Sequence, residues 1–172
     1  MKRKLHIGLL LLFVSIVFVH SQVVDVAKAQ SIFIYNFSRL IEWPPEYRTG
    51  PFIIGVLGTG DVYSELQNYT AGKKVGFQDI EIRRFKTPDE IVKCHIIVLT
   101  FNKANTINEV ANKLSNFSTL IISEKNGTID YGSAIDFLVA DNKLQFNLKP
   151  DNATKYGLKI SQRLKDMAAT LK

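Results

Sequence analysis

Histidine, the side chain most often used as a catalytic base near neutral pH, is scarce in this chain. Only His6, His20 and His95 occur, and the first two lie in an N-terminal segment typical of an export signal. A nucleophile–histidine–carboxylate set needs its base beside the other two groups, and a zinc site usually needs several such ligands. His95 instead adjoins the single cysteine, Cys94, before an apolar run. We therefore expect a hydrogen-bonded structural histidine, and neither a catalytic triad nor a metal site.

A glycine-rich turn is the strongest candidate for binding a small ligand. Gly58, Thr59, Gly60 and Asp61 follow an apolar run and precede a helix-like segment, which is the context of phosphate-binding turns. The third glycine of the dinucleotide fingerprint would fall at Tyr63, whose side chain would block close helix–strand approach. The segment is therefore predicted to be a tight turn between strand and helix. Because it follows a central strand at the carboxyl edge of a parallel sheet, any small ligand is expected there.

The remaining charged residues do not form a recognisable catalytic pattern. Four late acidic residues are expected to be solvated turn and edge residues, because their spacing does not suggest the paired carboxylates of a glycosidase. They are Glu124, Asp130, Asp136 and Asp141. A basic stripe is predicted on a last helix, at Lys155, Lys159 and Arg163. It is either a solvated face or an electrostatic contact to anionic headgroups or an acidic partner.

Residues 1–21 have the features of a secretion signal. Three basic residues precede an apolar run from Ile7 to Val19, and cleavage is expected after Ser21. The run is shorter than the roughly 20 residues of a membrane span, which favours cleavage over an uncleaved anchor helix. Cleavage would leave residues 22–172 as one domain, and loss of the three basic residues would lower the formal charge from +6 to +3. So small a positive charge does not indicate nucleic-acid binding.

Cys94 is the only cysteine, so no disulfide can form within the chain. Its position before the apolar run 96–99 predicts a buried, unreactive thiol, with an intermolecular disulfide as the alternative. Stability must then come from packing rather than from covalent cross-links.

The elements that would position these residues begin with an amphipathic helix over 25–42. Its apolar residues fill a broad arc at the α-helical period, and Asn36 falls inside that arc. A buried amide has to be hydrogen-bonded, so Asn36 is predicted to be a structural tie to a neighbouring backbone. Tyr35 and Arg39 lie on the polar stripe of this helix, and Trp43 stands at its end before two prolines, which stop it.

The rest of the chain alternates strand-like and helix-like segments. Continuous apolar runs predict buried strands at 52–57, 95–101 and 118–122. An edge strand is predicted at 80–85, and an antiparallel hairpin from 134–139 and 144–148. Further helices are predicted at 62–69, capped by Asp61, at 105–114 and at 150–170. This order is typical of a single α/β domain that has a mostly parallel sheet, helices on both faces and an antiparallel hairpin near the C-terminus.

Five strings in the chain form a recognisable set of motifs. The first is VAKAQSIFIYNFSRLIEWPP, whose motif residues are Lys28, Ala29, Tyr35, Asn36, Phe37, Glu42, Trp43 and Pro44. The others are FIIGVLG, CHIIVLT, AIDFLVADNKLQFNL and YGLKISQRLKDMA. Together they resemble the YfiR-like family of periplasmic regulatory proteins, and the resemblance covers essentially all of residues 22–172.

This resemblance implies a periplasmic α/β protein without catalytic activity or cofactor. Members of the family repress an inner-membrane diguanylate cyclase by binding its periplasmic portion, which lowers cyclic di-GMP output and disfavours biofilm formation, and they usually form dimers. The redox response of members with several cysteines is not expected here, because Cys94 stands alone. Tyr35, Arg39 and Trp43 are the candidate contacts to the membrane partner, and the turn 58–61 is the candidate site for any small ligand.

Two other classes of function remain open from the sequence. A carrier or sensor of a small periplasmic solute would use the turn 58–61 as its pocket, and no stabilisation by any metabolite would count against it. An enzyme would have to draw on residues such as His95, Asp61 and Glu124. Turnover that survived substitution of all three would reveal a different site chemistry.

Overall fold

The computed structural model describes residues 25–172, and the predicted secretion signal lies outside these residues. The α-helices of this part are α1 (Val26–Leu40), α2 (Val62–Thr70), α3 (Ile107–Lys113), α4 (Pro150–Thr154) and α5 (Gln162–Asp166). The strands are β1 (Ile41–Glu42), β2 (Phe52–Leu57), β3 (Lys74–Val75), β4 (Gln78–Phe85), β5 (Ile96–Leu99), β6 (Leu120–Ser123), β7 (Ile135–Ala140), β8 (Lys143–Leu148), β9 (Lys159–Ile160) and β10 (Thr170–Leu171). Short 3₁₀ turns span Pro45–Tyr47, Pro88–Glu90, Phe101–Thr106 and Thr128–Asp130.

Eight of these strands form one sheet in the order β10-β8-β7-β6-β5-β2-β4-β3. Five adjacent strands, β4, β2, β5, β6 and β7, pair in parallel, and β7 and β8 form the antiparallel hairpin that the sequence predicts. Asp141 and Asn142 both have positive φ at the hairpin turn, as a two-residue turn requires. The single α/β domain with a mostly parallel sheet is therefore confirmed.

Helices cover both faces of this sheet, again as predicted. Phe37 of α1 packs on one face, with its ring centroid 4.8 Å from that of Phe146 on β8. Side chains alternate along β7, so Asp136 points to the opposite face, where it accepts hydrogen bonds from the loop before β7. Helix α3 lies beside that loop, because Tyr156 and Gly132 both contact its residue Ala111.

Helix α1 does not bury Asn36 as the sequence predicts. The Asn36 amide is only half-buried and lines a surface cavity, so the predicted buried tie is wrong. Ser31 and Ser38 are buried polar residues of this helix, and their hydroxyls donate to backbone carbonyls three residues earlier at 2.8 and 2.6 Å. Serine hydroxyls can be buried in this way because they are hydrogen-bonded within the helix itself.

The C-terminal segment is not the single long helix expected over 150–170. Helix α4 ends early, and Gly157 takes a left-handed φ of 75°, which terminates a helix at no steric cost. The next residue, Leu158, is then buried, and a new short helix starts at Ser161, whose Oγ accepts the Leu164 N–H at 3.3 Å. The predicted basic stripe is therefore wrong as well, because Lys155 lies in the turn after α4, Lys159 on β9 and Arg163 on α5.

Candidate functional site

The neighbouring strands β2 and β5 send the chain toward opposite faces of the sheet. After β2 the chain enters α2, which packs beside α1, and after β5 it leads into α3 on the other face. Open α/β sheets bind ligands at such a reversal, because the diverging loops leave a crevice between them. The turn Gly58–Asp61 lies at this point, at the carboxyl edge of the sheet, where the sequence places it.

Gly58 allows the two diverging loops to touch. Its φ is 108°, and a Cβ atom at this position would overlap Thr100 Oγ1 and lie 2.6 Å from Asn102 Oδ1. The Thr100 hydroxyl donates to Leu57 O at 2.9 Å, and Asn102 Nδ2 donates to Thr59 Oγ1 at 2.6 Å. Glycine is needed here for both the backbone conformation and the close approach, so Gly58 and Thr59 serve to lock the loops together.

Gly60 and Asp61 line the crevice itself. It has a volume of about 400 Å³, and its walls come from the start of α1, the start of α2 and the loops after β5 and β6. The Asp61 side chain makes no capping bond to the first turn of α2, contrary to the expected cap. Its backbone carbonyl accepts the Glu65 N–H at 3.0 Å, and the residue lines the crevice.

Glu124 belongs to this crevice, although the sequence predicted a solvated turn residue. It follows β6, so its position at the carboxyl edge of the sheet brings it next to the loop after β5. Its Oε2 accepts the backbone N–H of Phe101 at 2.8 Å. Burial raises the pKa of Glu124, and the negative charge of Asp61 raises it further, while the Phe101 hydrogen bond acts in the opposite direction. Two carboxylates thus face one crevice.

Gln30 is a residue of the crevice that sequence reasoning missed. It is only 4% exposed and lines the crevice from α1. The side-chain amide makes no hydrogen bond to any other residue from 25 to 172, although buried amides are nearly always paired. The sequence signal that could have pointed to Gln30 is its place as a polar residue between Ala29 and Ser31, about one turn from the start of the helix.

Asp136 is the other acidic residue that does not match the solvated role expected of it. It is completely buried on β7, and its carboxylate accepts the Gly127 N–H at 2.6 Å and the Asn147 amide at 2.8 Å. The loop that precedes β7 folds over the Asp136 carboxylate. The carboxylate oxygens supply the hydrogen-bond acceptors that the backbone N–H groups of the loop need. Asp136 is thus a structural residue of that loop.

The amino edge of the sheet holds an aromatic cluster that we call the His95 cluster: Trp43, Tyr47, Phe52 and His95. His95 is 4% exposed, and its ring stacks on Phe52 with centroids 4.1 Å apart. The Ile53 N–H donates to His95 Nδ1 at 3.0 Å, so Nε2 carries the proton and donates to Tyr47 O at 2.7 Å. Burial lowers the pKa of His95, which keeps the imidazole neutral. The structural role predicted for His95 is confirmed.

Trp43 was expected to be exposed for contact with a partner, and this expectation is wrong. The side chain is 6% exposed, and its Nε1 donates to His95 O at 3.3 Å. Its ring meets Phe52 edge-to-face with centroids 5.1 Å apart. After α1 ends, β1 and the two prolines turn the chain back over the amino edge, which buries the indole there.

Cys94 lies beside this cluster as the buried thiol that the sequence predicts. It is 1% exposed, and burial raises the pKa of the thiol to about 12. The nucleophilic thiolate is therefore suppressed at neutral pH.

Tyr35 and Arg39 lie on the outer side of α1, in what we call the Tyr35 patch: Tyr35, Arg39, Tyr69 and Lys73. The Tyr35 and Tyr69 rings meet edge-to-face at 5.9 Å, and Lys73 Nζ lies 3.3 Å from the Tyr69 ring centroid. The Arg39 guanidinium lies 5.7 Å from the Tyr35 ring and also lines a cavity of about 320 Å³ with Arg163. The patch combines positive charge with aromatic surface.

Phe77 is an exposed aromatic residue that the sequence reasoning also missed. It is completely exposed at the turn between β3 and β4, beside Gly76 with its φ of 59°. Tyr35 donates to the Lys74 carbonyl at 3.4 Å, which places this hairpin next to the Tyr35 patch. The sequence signal that could have predicted this exposure is a phenylalanine that follows a glycine between two short polar segments. Aromatic residues exposed beside basic ones are common at protein interfaces.

Between residues 25 and 172, no helix is both long enough and apolar enough to cross a membrane.

Comparisons with known proteins support one family. The model of the YfiR/HmsC-like family matches residues 27–169, and this family comprises periplasmic, non-catalytic regulators of cyclic di-GMP signalling. A search of curated proteins found no significant match.

Two solved structures share the fold. A conserved domain protein from Vibrio cholerae O1 biovar El Tor has a TM-score of 0.62 at 9% identity, over 85% of this chain. The ABC domain from Streptococcus pneumoniae, solved in complex with L-Trp, has a TM-score of 0.57 at 11% identity, over 86% of this chain. The chain spans 60% of the length of each of those proteins, and at these identities the likeness concerns the fold alone.

Proposed function

Because the chain belongs to the YfiR/HmsC-like family, we propose that it is a non-enzymatic periplasmic protein that binds and represses an inner-membrane signalling protein. The proposed partner is a diguanylate cyclase, which the family relationship supports, so that binding lowers cyclic di-GMP output. The family match over residues 27–169 is the observation that carries this proposal. We include in it cleavage after Ser21, export to the periplasm and a homodimer.

The geometry supports a role in binding more than one in catalysis. His95, the only histidine after residue 20, uses both ring nitrogens for backbone contacts and stays neutral. A general base has to reach a substrate proton, and a ring enclosed in this way cannot do so.

The Tyr35 patch is the proposed contact surface for the membrane partner. Tyrosine and arginine dominate binding energy at interfaces, and here both lie on a helix whose position is held by packing. The cationic groups of Arg39 and Lys73 favour an acidic segment on the partner. Trp43 is not part of this surface because its side chain is buried.

Deletion of the gene tests the regulatory proposal directly. We expect intracellular cyclic di-GMP to rise and to return to its starting level when the wild-type chain is restored. Restoration with an Arg39→Glu variant should fail, because charge reversal repels an acidic partner, whereas Lys113→Glu on the distant helix α3 should succeed. Unchanged cyclic di-GMP in the deletion strain would overturn the proposal.

A photo-crosslinker at Tyr35 identifies the partner, with Asn112 on α3 as the matched control position. We expect the Tyr35 position to capture a membrane protein that has a periplasmic sensor region and a cytoplasmic output domain. Capture of soluble proteins alone, or equal capture from both positions, would contradict the proposed surface.

The crevice at the carboxyl edge favours a second candidate function, a sensor of a small periplasmic solute. Its supporting observation is the pair of Gln30 and Glu124, polar side chains that face a volume of about 400 Å³. A broad thermal-shift screen of metabolites tests this function. Stabilisation that is lost in a Gln30→Leu variant would support it, and no stabilisation by any compound would exclude it.

A further inference from the structure

The crevice is lined by acidic side chains from three different elements. Asp25 precedes α1, Asp61 precedes α2 and Glu124 follows β6. The residues that line it include neither lysine nor arginine. Lys103, whose stem packs beside Gly58, lies outside this lining.

These carboxylates keep oxygens that the protein does not use. Asp25 Oδ1 accepts the Lys28 N–H at 3.1 Å, and Glu124 Oε2 accepts the Phe101 N–H at 2.8 Å. The second oxygen of each, and both oxygens of Asp61, make no hydrogen bond within residues 25–172. The partial positive charges of the α1 and α2 N-termini offset part of the negative charge, but three full carboxylates exceed two helix ends of about half a charge each.

Gln30 provides an independent indication that a ligand binds here. Its side chain is more than nine-tenths buried, lines the crevice and has no hydrogen-bond partner among the described residues. No side-chain N or O atom in residues 25–172 is both enclosed and unpaired, so the polar atoms of the Gln30 amide reach the crevice, where a polar ligand can bind them. Its carbonyl oxygen can accept an N–H, as the carboxylates can.

The acidic groups are too dispersed for a metal ion. No group of three or more His, Cys, Asp or Glu side chains within residues 25–172 could hold one. A metal needs ligand oxygens that converge to within a few ångströms of one point, whereas an organic ammonium can bind two or three separated acceptors through its N–H groups.

Two exposed apolar side chains also line the crevice. They are Phe101, which is 68% exposed, and Val26, which is 37% exposed. An aromatic ring at this place offers both apolar contact and an attractive face to a cation.

We propose that this crevice binds a primary organic ammonium ion with an apolar body, its N–H groups donating to Glu124, Asp61 and Gln30. The apolar body lies against Phe101 and Val26. This assignment rests on the second candidate function, the solute sensor, and specifies its ligand class.

Matched probes test the sign of the charge that the crevice prefers. Phenethylammonium, 3-phenylpropionate and 3-phenylpropanol have similar apolar bodies and differ in their head groups. Isothermal titration of the purified, exported protein should detect binding of the ammonium compound and at least about 10-fold weaker binding of the other two. Tighter binding of the carboxylate or the alcohol would overturn the ammonium proposal but leave a solute sensor in place. Binding of none of the three would overturn the ammonium proposal, and only the broad metabolite screen would then decide on the sensor.

Isosteric variants locate the binding. Glu124→Gln and Asp61→Asn should each weaken ammonium binding by about 10-fold, because each removes one negative charge and keeps a similar shape. Glu109→Gln and Asp89→Asn make the same chemical changes at exposed positions outside the crevice and should have no effect. Equal effects of both pairs would show nonspecific electrostatic binding and would contradict the crevice as the site. Circular dichroism and the unfolding midpoint of each variant separate loss of binding from loss of fold.

Discussion

The two edges of the parallel sheet use buried polar side chains in opposite ways. In the His95 cluster at the amino edge, the ring nitrogens of His95 and the Nε1 of Trp43 are all paired with backbone atoms. In the crevice at the carboxyl edge, the buried Gln30 makes no side-chain hydrogen bond within residues 25–172, and neither does the exposed Asp61. Polar groups that are paired inside the protein stabilise a fold, whereas polar groups that open into a crevice are available to a ligand. The amino edge is therefore structural, and the carboxyl edge holds the proposed ligand site.

The largest effect is expected at the amino edge, from His95→Ala. The change removes a stacked ring and leaves the Ile53 N–H and the Tyr47 carbonyl unpaired, which should cost about 3 kcal/mol of unfolding free energy. Urea unfolding measures it, with Val92→Ala as a control at a half-exposed apolar position three residues away. A loss no larger than that of Val92→Ala would mean that the cluster is not a structural centre.

Gly58→Ala tests whether the loops of the carboxyl edge need to touch. Alanine at Gly58 would combine a strained φ with overlap on Thr100 and Asn102, for a loss of about 2 kcal/mol. Gly72→Ala is the matched control, because Gly72 has a φ of 72° and no atom within 4 Å of a built Cβ. It should cost about 1 kcal/mol, from backbone strain alone. Equal losses would show that the contact between the loops contributes nothing.

Acid should destabilise the protein through His95. Its pKa is lowered in the folded state, so the unfolded chain binds the proton more readily. The stability linked to His95 is therefore complete above the ordinary histidine pKa of about 6.5 and is lost as the pH falls below it. Unfolding midpoints at several pH values should show this decline in the wild type and a smaller one in His95→Gln. An identical pH profile of the two proteins would contradict the linkage.

The smallest effect, of opposite sign, is expected from Glu124→Gln. The raised pKa of Glu124 means that its charged form is disfavoured in the folded state, so its protonation on acidification stabilises the fold. At neutral pH the glutamine variant should be slightly more stable than the wild type, and the gap should close as the pH falls toward the ordinary carboxyl range. Glu109→Gln should show no such gap. A glutamine variant that is less stable at neutral pH would make Glu124 a structural residue and weaken the contrast between the edges.

Local patterns predicted the sheet well and the crevice only in part. The turn at Gly58–Asp61 was expected from its place between an apolar run and a helix, and both of its glycines adopt positive φ. Glu124 and Gln30 were not expected there, because they approach the turn from a later strand and an earlier helix. A contact between residues that are far apart in the chain leaves no local pattern in a single sequence.

The errors share a physical origin in helix packing. The periodicity of α1 predicted one broad apolar arc, but the helix contacts both the sheet and α2, and two of its serines are buried as well. The single predicted C-terminal helix also failed, because Gly157 permits a left-handed turn that the helical pattern of its neighbours conceals.

By itself, the sequence determined the α/β class, the order of the parallel strands along the chain, the burial of Cys94 and His95 and the family. These follow from apolar runs, turn residues and motif strings, which act over a few neighbouring residues. Only the tertiary structure decided that Trp43 is buried and that Gln30, Asp61 and Glu124 meet at one crevice. Whether a polar group is paired or open depends on which distant element packs against it, and no local pattern contains that information.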